Sequence, residues 1–176
     1  PHCVETYGMT ETLTHVATRP VCYPAVPFRA MPGVKINVDD DSCLQITAPY
    51  ISSSSICTND VVELLDNQSF MLIGRRDFVI NSGGRKIFPE QLEEKLSVQL
   101  RIPFFFTGIP DVELGEKLVL VVEGGIKEKQ LGLKTATELL GADKHLVPKD
   151  VVCLDTFVFT RTGKLDRIAT LKGLAL

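Results

Sequence analysis

The chain has 176 residues, of which 44% are hydrophobic and 23% are charged, a composition typical of a globular protein with one domain or two small ones. Its 19 basic and 22 acidic residues give a net charge of −3, so no general cationic field is present to bind nucleic acid or an anionic membrane. No apolar run approaches the roughly 20 residues that a membrane-spanning helix requires, and we expect neither a nucleic-acid partner nor a membrane span.

The segments before residue 75 predict a small β-rich unit. Six of the ten prolines lie in the first 49 positions, which favours irregular chain and short strands. Residues 34–38 and 43–47 alternate apolar and polar side chains around an acidic turn, the pattern of a β-hairpin. Residues 61–65 and 70–73 repeat this pattern around a second polar turn. We therefore predict two successive hairpins within residues 1–74.

The pattern changes after Gly74, where strand and helix signals begin to alternate. Residues 103–109 and 117–123 are near-continuous apolar runs, which are typical of buried strands. Residues 151–155 indicate a further strand. Strands that alternate with helices predict a compact α/β unit over residues 75–176.

Three helices are predicted in this second unit, over residues 89–100, over residues 126–140 and close to the end of the sequence. Pro89 suits the first position of a helix. The apolar faces are predicted from residues that recur at helical spacing: Leu92, Leu96 and Leu100 in the first helix, Leu133, Ala136 and Leu140 in the second, and Ile168, Leu171 and Ala175 in the third.

Five cysteines occur, an odd number, and no two of them have CxxC spacing. This usage indicates neither a disulfide framework nor a zinc site. We expect thiols that are mostly buried, in a protein of the reducing cytoplasm.

Two short clusters in the first unit are candidates for binding a nucleotide. In the segment YGMTET, residues 7–12, the Thr10 hydroxyl can donate to a phosphate oxygen, and the Glu11 carboxylate can bind Mg²⁺. In TND, residues 58–60, Asp60 can accept hydrogen bonds from ribose hydroxyls. Each cluster taken alone is more often structural, as a surface pair or a capping Asp.

Two further clusters lie in the second unit. The Gly83-Gly84 pair within residues 74–93 fits either a tight hairpin turn or a loop that passes closely against a ligand. Lys164, on the polar segment 160–167, is either a solvated loop residue or a cation that neutralises a phosphate. Neither cluster has the full glycine framework of a dinucleotide-binding or P-loop motif.

The order and spacing of the four clusters resemble those of the adenylate-forming enzyme superfamily, which contains acyl-CoA synthetases, peptide-synthetase adenylation domains and luciferases. Within it, the segments MTETLTHVATR, TNDVVELL, NSGGRKIFPEQLEEKL and LGEKLVLVVEG resemble the o-succinylbenzoate–CoA ligases of menaquinone synthesis. The sequence departs from the superfamily pattern at Asn59, where Gly is usual, at Asn81, where Lys is usual, and before Thr160, where a Pro is missing.

The resemblance implies an α/β (α+β) organisation. Residues 1–74 would be a small β-barrel-like subdomain that ends an N-terminal domain, and residues 75–176 would be a compact, mobile C-terminal lid domain. The first phosphate loop of the family does not occur in this sequence. We therefore expect the C-terminal portion of a longer ligase, whose upstream domain is its partner and without which it is inactive. A homo-oligomer is a further option.

The implied reaction joins a small carboxylic acid to CoA through an acyl-AMP intermediate, and it uses ATP, Mg²⁺ and CoA. The resemblance assigns Asp77 as a hinge residue that lets Lys164 withdraw from the nucleotide while the Gly83-Gly84 loop approaches. The remaining roles that it implies are nucleotide binding by Tyr7, Gly8, Thr10, Asp60, Arg75 and Lys164, catalysis by Lys164, Thr10 and Glu11, metal binding by Glu11, and a CoA tunnel at Gly83 and Gly84.

Two alternatives to o-succinylbenzoate–CoA ligation stay open. One is another ligase of the superfamily, acting on a fatty acid, an aryl acid or a carrier protein, because the acid pocket would lie mostly upstream. The other is a truncated, non-catalytic interaction module. His15 is a candidate to border the acid pocket, although pairing with solvent or core is the more common role of such a histidine.

Overall fold

The computed structural model describes residues 3–22 and 26–172. The chain divides into two compact units, Pro1–Asp77 and Phe78–Leu176, shortly after the predicted boundary at residue 74. Each unit has its own hydrophobic core. Within the described ranges, no helix has both the length and the apolar character needed to cross a membrane.

The first unit is a seven-stranded antiparallel sheet. Its strands are β1 (Val4–Gly8), β2 (His15–Pro20), β3 (Phe28–Ala30), β4 (Lys35–Val38), β5 (Cys43–Thr47), β6 (Ile56–Leu64) and β7 (Ser69–Arg75). The strand order is β1-β2-β3-β7-β6-β5-β4. The sheet is open, since its edge strands β1 and β4 do not pair in the part of the chain that the structure describes, and it is not the closed form that a barrel would require.

Both predicted hairpins are present, because β4 pairs with β5 and β6 pairs with β7. Strand β6 begins at Ile56 rather than at residue 61. Its first half is mostly polar, and backbone pairing with β5 extends it in a way that apolar alternation does not detect. In the core of this unit, the rings of Tyr7, Phe28 and Phe70 pack with centroids 5.3–5.7 Å apart.

The second unit combines a five-stranded sheet with three helices. Its elements are β8 (Ile80–Ser82), β9 (Arg85–Ile87), α1 (Pro89–Ser97), β10 (Phe104–Asp111), β11 (Gly115–Glu123), α2 (Ile126–Leu140), β12 (Asp150–Leu154) and α3 (Arg167–Leu171). The strand order is β10-β11-β8-β9, and β12 pairs in parallel with β11. Together, the two units confirm the predicted α+β fold class.

The second sheet has a core on each face, because side chains of β11 alternate between them. Leu118, Leu120 and Val122 pack with buried residues of α1 and α2. Val119 and Val121 pack on the other face with Phe105 and Phe157. This alternation explains why the sequence of β11 reads as a continuous apolar run.

The predicted face of α2 is wrong at one position. Leu133 is 44% exposed, and the buried residues of the helix are Gly132, Thr135, Ala136 and Leu140. Gly132 faces the sheet, where an added Cβ would lie 3.1 Å from side-chain atoms of Leu120 and of Val122. The missing side chain therefore lets the backbone of α2 approach the sheet, which apolar spacing does not predict.

Three smaller expectations also need correction. Helix α1 ends at Ser97 and not at residue 100, although Leu100 is buried and its N–H donates to the Leu96 carbonyl. Ile168 of α3 is exposed, and Ala175 lies outside the described residues. The thiols are not mostly buried: Cys43 is buried and Cys153 is intermediate, whereas Cys3, Cys22 and Cys57 are exposed.

A matched pair of substitutions tests the corrected face of α2. Leu140→Ala should lower the free energy of unfolding by about 2–5 kcal/mol, because it opens a cavity at a fully packed site. Leu133→Ala should change it by about 0.5 kcal/mol or less, as surface substitutions do. Urea unfolding followed by circular dichroism measures both, and equal losses would contradict the assignment of the buried face.

Candidate functional site

Asp60 is the centre of a polar cluster in the first unit. Only 9% of the residue is exposed. The Tyr7 hydroxyl donates to its Oδ2 at 2.5 Å, and Nη1 of Arg75 lies 3.4 Å from its Oδ1. The Asp60 N–H donates to the Thr58 hydroxyl at 3.1 Å. A buried carboxylate requires partners such as Tyr7 and Arg75 to offset its loss of hydration. These two residues fix its orientation from two other strands, and Thr58 holds the backbone of Asp60 on its own strand.

The strand register creates this cluster. Asp60 and Arg75 are directly opposed across β6 and β7, where facing side chains lie close enough to pair. Tyr7 reaches Asp60 from β1, and its ring packs against the stacked rings of Phe28 and Phe70. Burial raises the pKa of Tyr7 well above its ordinary value, and the hydrogen bond and charge of Asp60 raise it further. Tyr7 therefore remains a hydrogen-bond donor across the physiological pH range.

Tyr7 and Gly8 were both predicted as nucleotide contacts. The Tyr7 ring is buried in the core, and its hydroxyl orients Asp60, so a direct contact of Tyr7 with a nucleotide stays a prediction. Gly8 is exposed at a bulge of β1. A Cβ there would lie 2.6 Å from the Thr14 carbonyl oxygen, so the close backbone approach requires glycine.

Thr10 and Glu11 lie on a short 3₁₀ helix, Thr10–Thr12, and both are exposed. The turn is held by Thr12, a buried residue that the sequence analysis did not single out. Its hydroxyl accepts from the Met9 N–H at 2.9 Å and donates to the Thr14 carbonyl at 2.7 Å. Thr12 thus presents the Thr10 hydroxyl and the Glu11 carboxylate to solvent side by side.

His15 borders a cleft of about 250 Å³ beside this turn. Thr6, Gly8, Met9, Leu13 and Thr14 form the other walls. The His15 ring nitrogen Nδ1 lies 3.3 Å from the Thr14 hydroxyl. His15 therefore lies at the edge of an open space next to Thr10 and Glu11, and its part in binding an acid stays a prediction.

Asp77 is tied to the Asp60 cluster by a second polar network. Its Oδ2 accepts from Nη2 of Arg75 at 2.7 Å and from Nδ2 of Asn59 at 3.2 Å. The side-chain oxygen Oδ1 of Asn59 in turn accepts from Nη2 of Arg76 at 2.7 Å. From the sequence, Asn59 was only a departure from the pattern of the superfamily that it resembles. Its amide engages both residues at which the first unit ends.

The Gly83-Gly84 pair forms the turn between β8 and β9 in the second unit. Both residues have positive φ, 56° and 77°, the combination of a two-residue type I′ hairpin. No atom lies within 4 Å of a Cβ built on Gly84, so the turn presents open backbone. Next to it, Arg85, Lys86 and Lys95 contribute to the walls of a cleft of about 190 Å³.

Lys164 is exposed on a small closed loop of the second unit. The Thr160 N–H donates to the Lys164 carbonyl at 2.8 Å, and the Lys164 N–H donates to the Thr160 hydroxyl at 3.1 Å. A backbone bridge between Phe159 and Leu165 encloses the loop. The predicted residues thus fall into two sets, with Lys164, Gly83 and Gly84 in the second unit and the others in the first.

No protein-family model matches the chain, but solved structures match its fold. An AMP-forming acyl-CoA synthetase/AMP-acid ligase II-like protein from Dyadobacter fermentans is 33% identical, with a TM-score of 0.51, over 97% of this chain and 50% of that one. The o-succinylbenzoate CoA synthetase MenE from Bacillus subtilis, in complex with the intermediate OSB-AMP, is 19% identical, with a TM-score of 0.75, over 93% of this chain and 40% of that one. The same enzyme in complex with ATP and a magnesium ion is 19% identical, with a TM-score of 0.74, over 95% of this chain and 41% of that one. The chain therefore has the fold of the C-terminal part of adenylate-forming enzymes.

Curated relatives narrow this class. A 2-succinylbenzoate–CoA ligase from Staphylococcus aureus is 34% identical over 122 residues, 66% of this chain and 24% of that protein. A salicylyl-CoA synthase/salicylate adenylyltransferase from a Streptomyces species is 30% identical over 115 residues, which are 62% of this chain and 20% of that protein. The chain is thus a homologue of AMP-forming acid–CoA ligases, 2-succinylbenzoate–CoA ligases among them, and it spans about a fifth to a quarter of the length of these two relatives.

Removal of one hydroxyl tests how Asp60 is held. Tyr7→Phe should lower the free energy of unfolding by about 1.5–3 kcal/mol, because it removes the hydroxyl that donates to Oδ2 of a buried carboxylate. Tyr50→Phe is the matched control, since Tyr50 is exposed, and it should change stability by no more than about 0.5 kcal/mol. Urea unfolding of the two variants measures the difference, and a neutral Tyr7→Phe would contradict a structural role for this hydrogen bond.

Proposed function

We propose that the chain is the C-terminal part of an AMP-forming acid–CoA ligase, and that its acid is o-succinylbenzoate. The observation that carries this proposal is the oriented Asp60–Arg75 pair, which lies in the same unit as the exposed Thr10-Glu11 turn. A carboxylate whose orientation is fixed in this way suits two ribose hydroxyls, and a hydroxyl beside a second carboxylate suits a phosphate and its metal ion.

In the first half-reaction, the substrate carboxylate attacks the α-phosphorus of ATP, and the bond to pyrophosphate breaks as acyl-AMP forms. Thr10 donates to the α-phosphate, Asp60 and Arg75 hold the ribose, and Lys164 neutralises the charge between the two anionic reactants. Catalysis of this kind consists of positioning and charge stabilisation.

Glu11 would hold Mg²⁺. In the described ranges, no group of three or more His, Cys, Asp or Glu side chains is placed to bind a metal ion. A single exposed carboxylate fits Mg²⁺, which commonly takes one or two protein carboxylates and completes its shell with phosphate oxygens and waters. When bound, the ion would neutralise charge on the phosphates of ATP.

In the second half-reaction, the CoA thiolate attacks the acyl carbonyl, the bond to the phosphate oxygen breaks and AMP leaves. The open Gly83-Gly84 turn gives the pantetheine arm room, and Arg85, Lys86 and Lys95 beside it suit the phosphates of CoA. The change from the first half-reaction to the second would use a rotation of one domain. Asp77, the proposed hinge residue, lies where the compact units divide. A hinge at a few residues between units is a common solution.

The choice of acid rests on the relatives. A 2-succinylbenzoate–CoA ligase and a salicylate adenylyltransferase both match this chain, and both names denote aromatic acids. A ligase for another aryl acid is therefore the second candidate, and the salicylate relative is the observation that favours it.

The full-length ligase should catalyse pyrophosphate exchange into ATP that depends on o-succinylbenzoate. Lys164→Ala should reduce this exchange about 10²–10³-fold, the cost of losing a preorganised charge contact. It should leave thioester formation from supplied acyl-AMP close to the wild-type rate, because Lys164 acts only in the first half-reaction.

Three control acids separate the candidate functions: salicylate, malonate and a medium-chain fatty acid. Exchange driven by one of these and not by o-succinylbenzoate would correct the substrate. An absence of exchange with all acids would point to the non-catalytic alternative, and equal loss of both half-reactions in Lys164→Ala would contradict the two-conformation mechanism.

A bulky side chain at the hairpin turn should affect only the second half-reaction. Gly84→Leu is expected to block transfer to CoA, since the side chain would project into the space used by pantetheine, while exchange stays near wild type. Gly84→Asn is the control for backbone strain, because Asn tolerates positive φ better than Leu. If Gly84→Leu also abolished exchange, or left thioester formation intact, the proposed path of CoA would be wrong.

A further inference from the structure

Arg167 lies three positions after Lys164 and forms an inward-facing ion pair with Glu93 of α1. Its Nη2 lies 2.6 Å from Oε2 of Glu93, and the two side chains are only 15% and 19% exposed. Oε1 of Glu93 also accepts from the Phe106 N–H at 2.9 Å. Arg167 therefore links α3 to α1, and through Glu93 to strand β10.

Aromatic rings complete the surroundings of this pair. The guanidinium carbon of Arg167 lies 4.6 Å from the centroid of Phe78 and 5.7 Å from that of Phe105. A planar guanidinium can stack on rings and pair with a carboxylate at the same time, whereas an ammonium is a compact point charge. Burial raises the pKa of Glu93, and the charge of Arg167 opposes that rise, so Arg167 favours the ionised form of Glu93.

Other ion pairs of this unit are much more exposed. Lys129 and Asp150 lie 3.7 Å apart with side chains 47% and 49% exposed, a geometry that contributes little to stability. Removal of one partner from a buried pair is costly, because the other charge is left without compensation. The Glu93–Arg167 pair is therefore the ionic contact through which this part of the chain is fixed to the core.

The chain between Arg167 and Lys164 is short and well hydrogen-bonded. The Asp166 N–H donates to the Val158 carbonyl at 2.9 Å, and its side chain caps α3 by accepting from the Ala169 N–H at 2.9 Å. Leu165 pairs with Phe159. Hydrogen bonds between Thr160 and Lys164 close the loop on itself. The orientation of the loop therefore depends on the position of the chain that follows it, which Arg167 fixes.

We propose that Glu93 and Arg167 are positioning residues for Lys164, in that their ion pair fixes the base of the loop that carries the lysine. This inference rests on the proposed role of Lys164 in adenylation. A displacement of about 1 Å at a reacting group can cost a hundredfold in rate. Loss of the pair should therefore impair the half-reaction that uses Lys164 and spare the other.

The test compares Arg167→Met, Arg167→Lys and the double variant Glu93→Met/Arg167→Met in the full-length ligase. The single Met variant should reduce kcat of adenylation about a hundredfold, with little change in the KM for ATP and with thioester formation from supplied acyl-AMP within about twofold of wild type. Arg167→Lys keeps the charge and should recover part of the loss. Lys129→Met removes the exposed pair and is the matched control, expected to leave both rates unchanged.

The double variant separates positioning from folding, because an apolar replacement of both partners leaves no buried charge and often retains stability. It should be as stable as wild type and still slow in adenylation. In the 176-residue chain, ¹⁵N relaxation should show greater mobility of residues 160–166 in Arg167→Met and in the double variant, but not in Lys129→Met.

The outcomes are distinguishable from a failure of the proposed function. If Lys164→Ala slows adenylation and Arg167→Met leaves it at wild type, or slows both half-reactions equally, the positioning role alone is wrong. Unchanged mobility of the loop, or full adenylation in the double variant, would also overturn it. If Lys164→Ala itself leaves adenylation unchanged, the proposed function fails, and the positioning role fails with it.

Discussion

The burial of the Asp60 carboxylate is the constraint on which the first unit is organised. A charge removed from water must find partners, and here they come from two other strands: the Tyr7 hydroxyl from β1 and the Arg75 guanidinium from β7. The same contacts align these strands. An exposed aspartate would impose no such requirement, and would also have no fixed orientation towards a ligand.

This cluster extends to the end of the unit through shared cations. Arg75 contacts both Asp60 and Asp77, and the Asn59 amide contacts both Asp77 and Arg76. The strand that carries the proposed ribose contact and the segment at which the two units divide therefore belong to one hydrogen-bond network. A glycine at position 59 would have no side chain to take part, so Asn59 adds a tie that the family pattern lacks.

Local sequence patterns were sufficient for much of the fold. The two hairpins follow from alternation around polar turns, and α2 has its predicted bounds because its flanking glycines and its length are local features. Patterns failed where a contact distant in sequence decided the outcome. Gly132 is a buried helix residue because β11 lies against it, and the first half of β6 is a strand because β5 pairs with its polar residues.

The sequence by itself determined the α+β class, the two hairpins of the first unit, the three helices and the four segments that carry candidate chemistry, because hydrophobic periodicity, turn residues and motif spacing are written along the chain. Only the tertiary structure decided which of these side chains meet. It placed Tyr7 and Arg75 on Asp60, made Thr12 the residue that holds the Thr10-Glu11 turn, and joined Glu93 to Arg167 across 74 positions of sequence. Such contacts depend on strand register and on burial in a common core, and neither is encoded by any single segment.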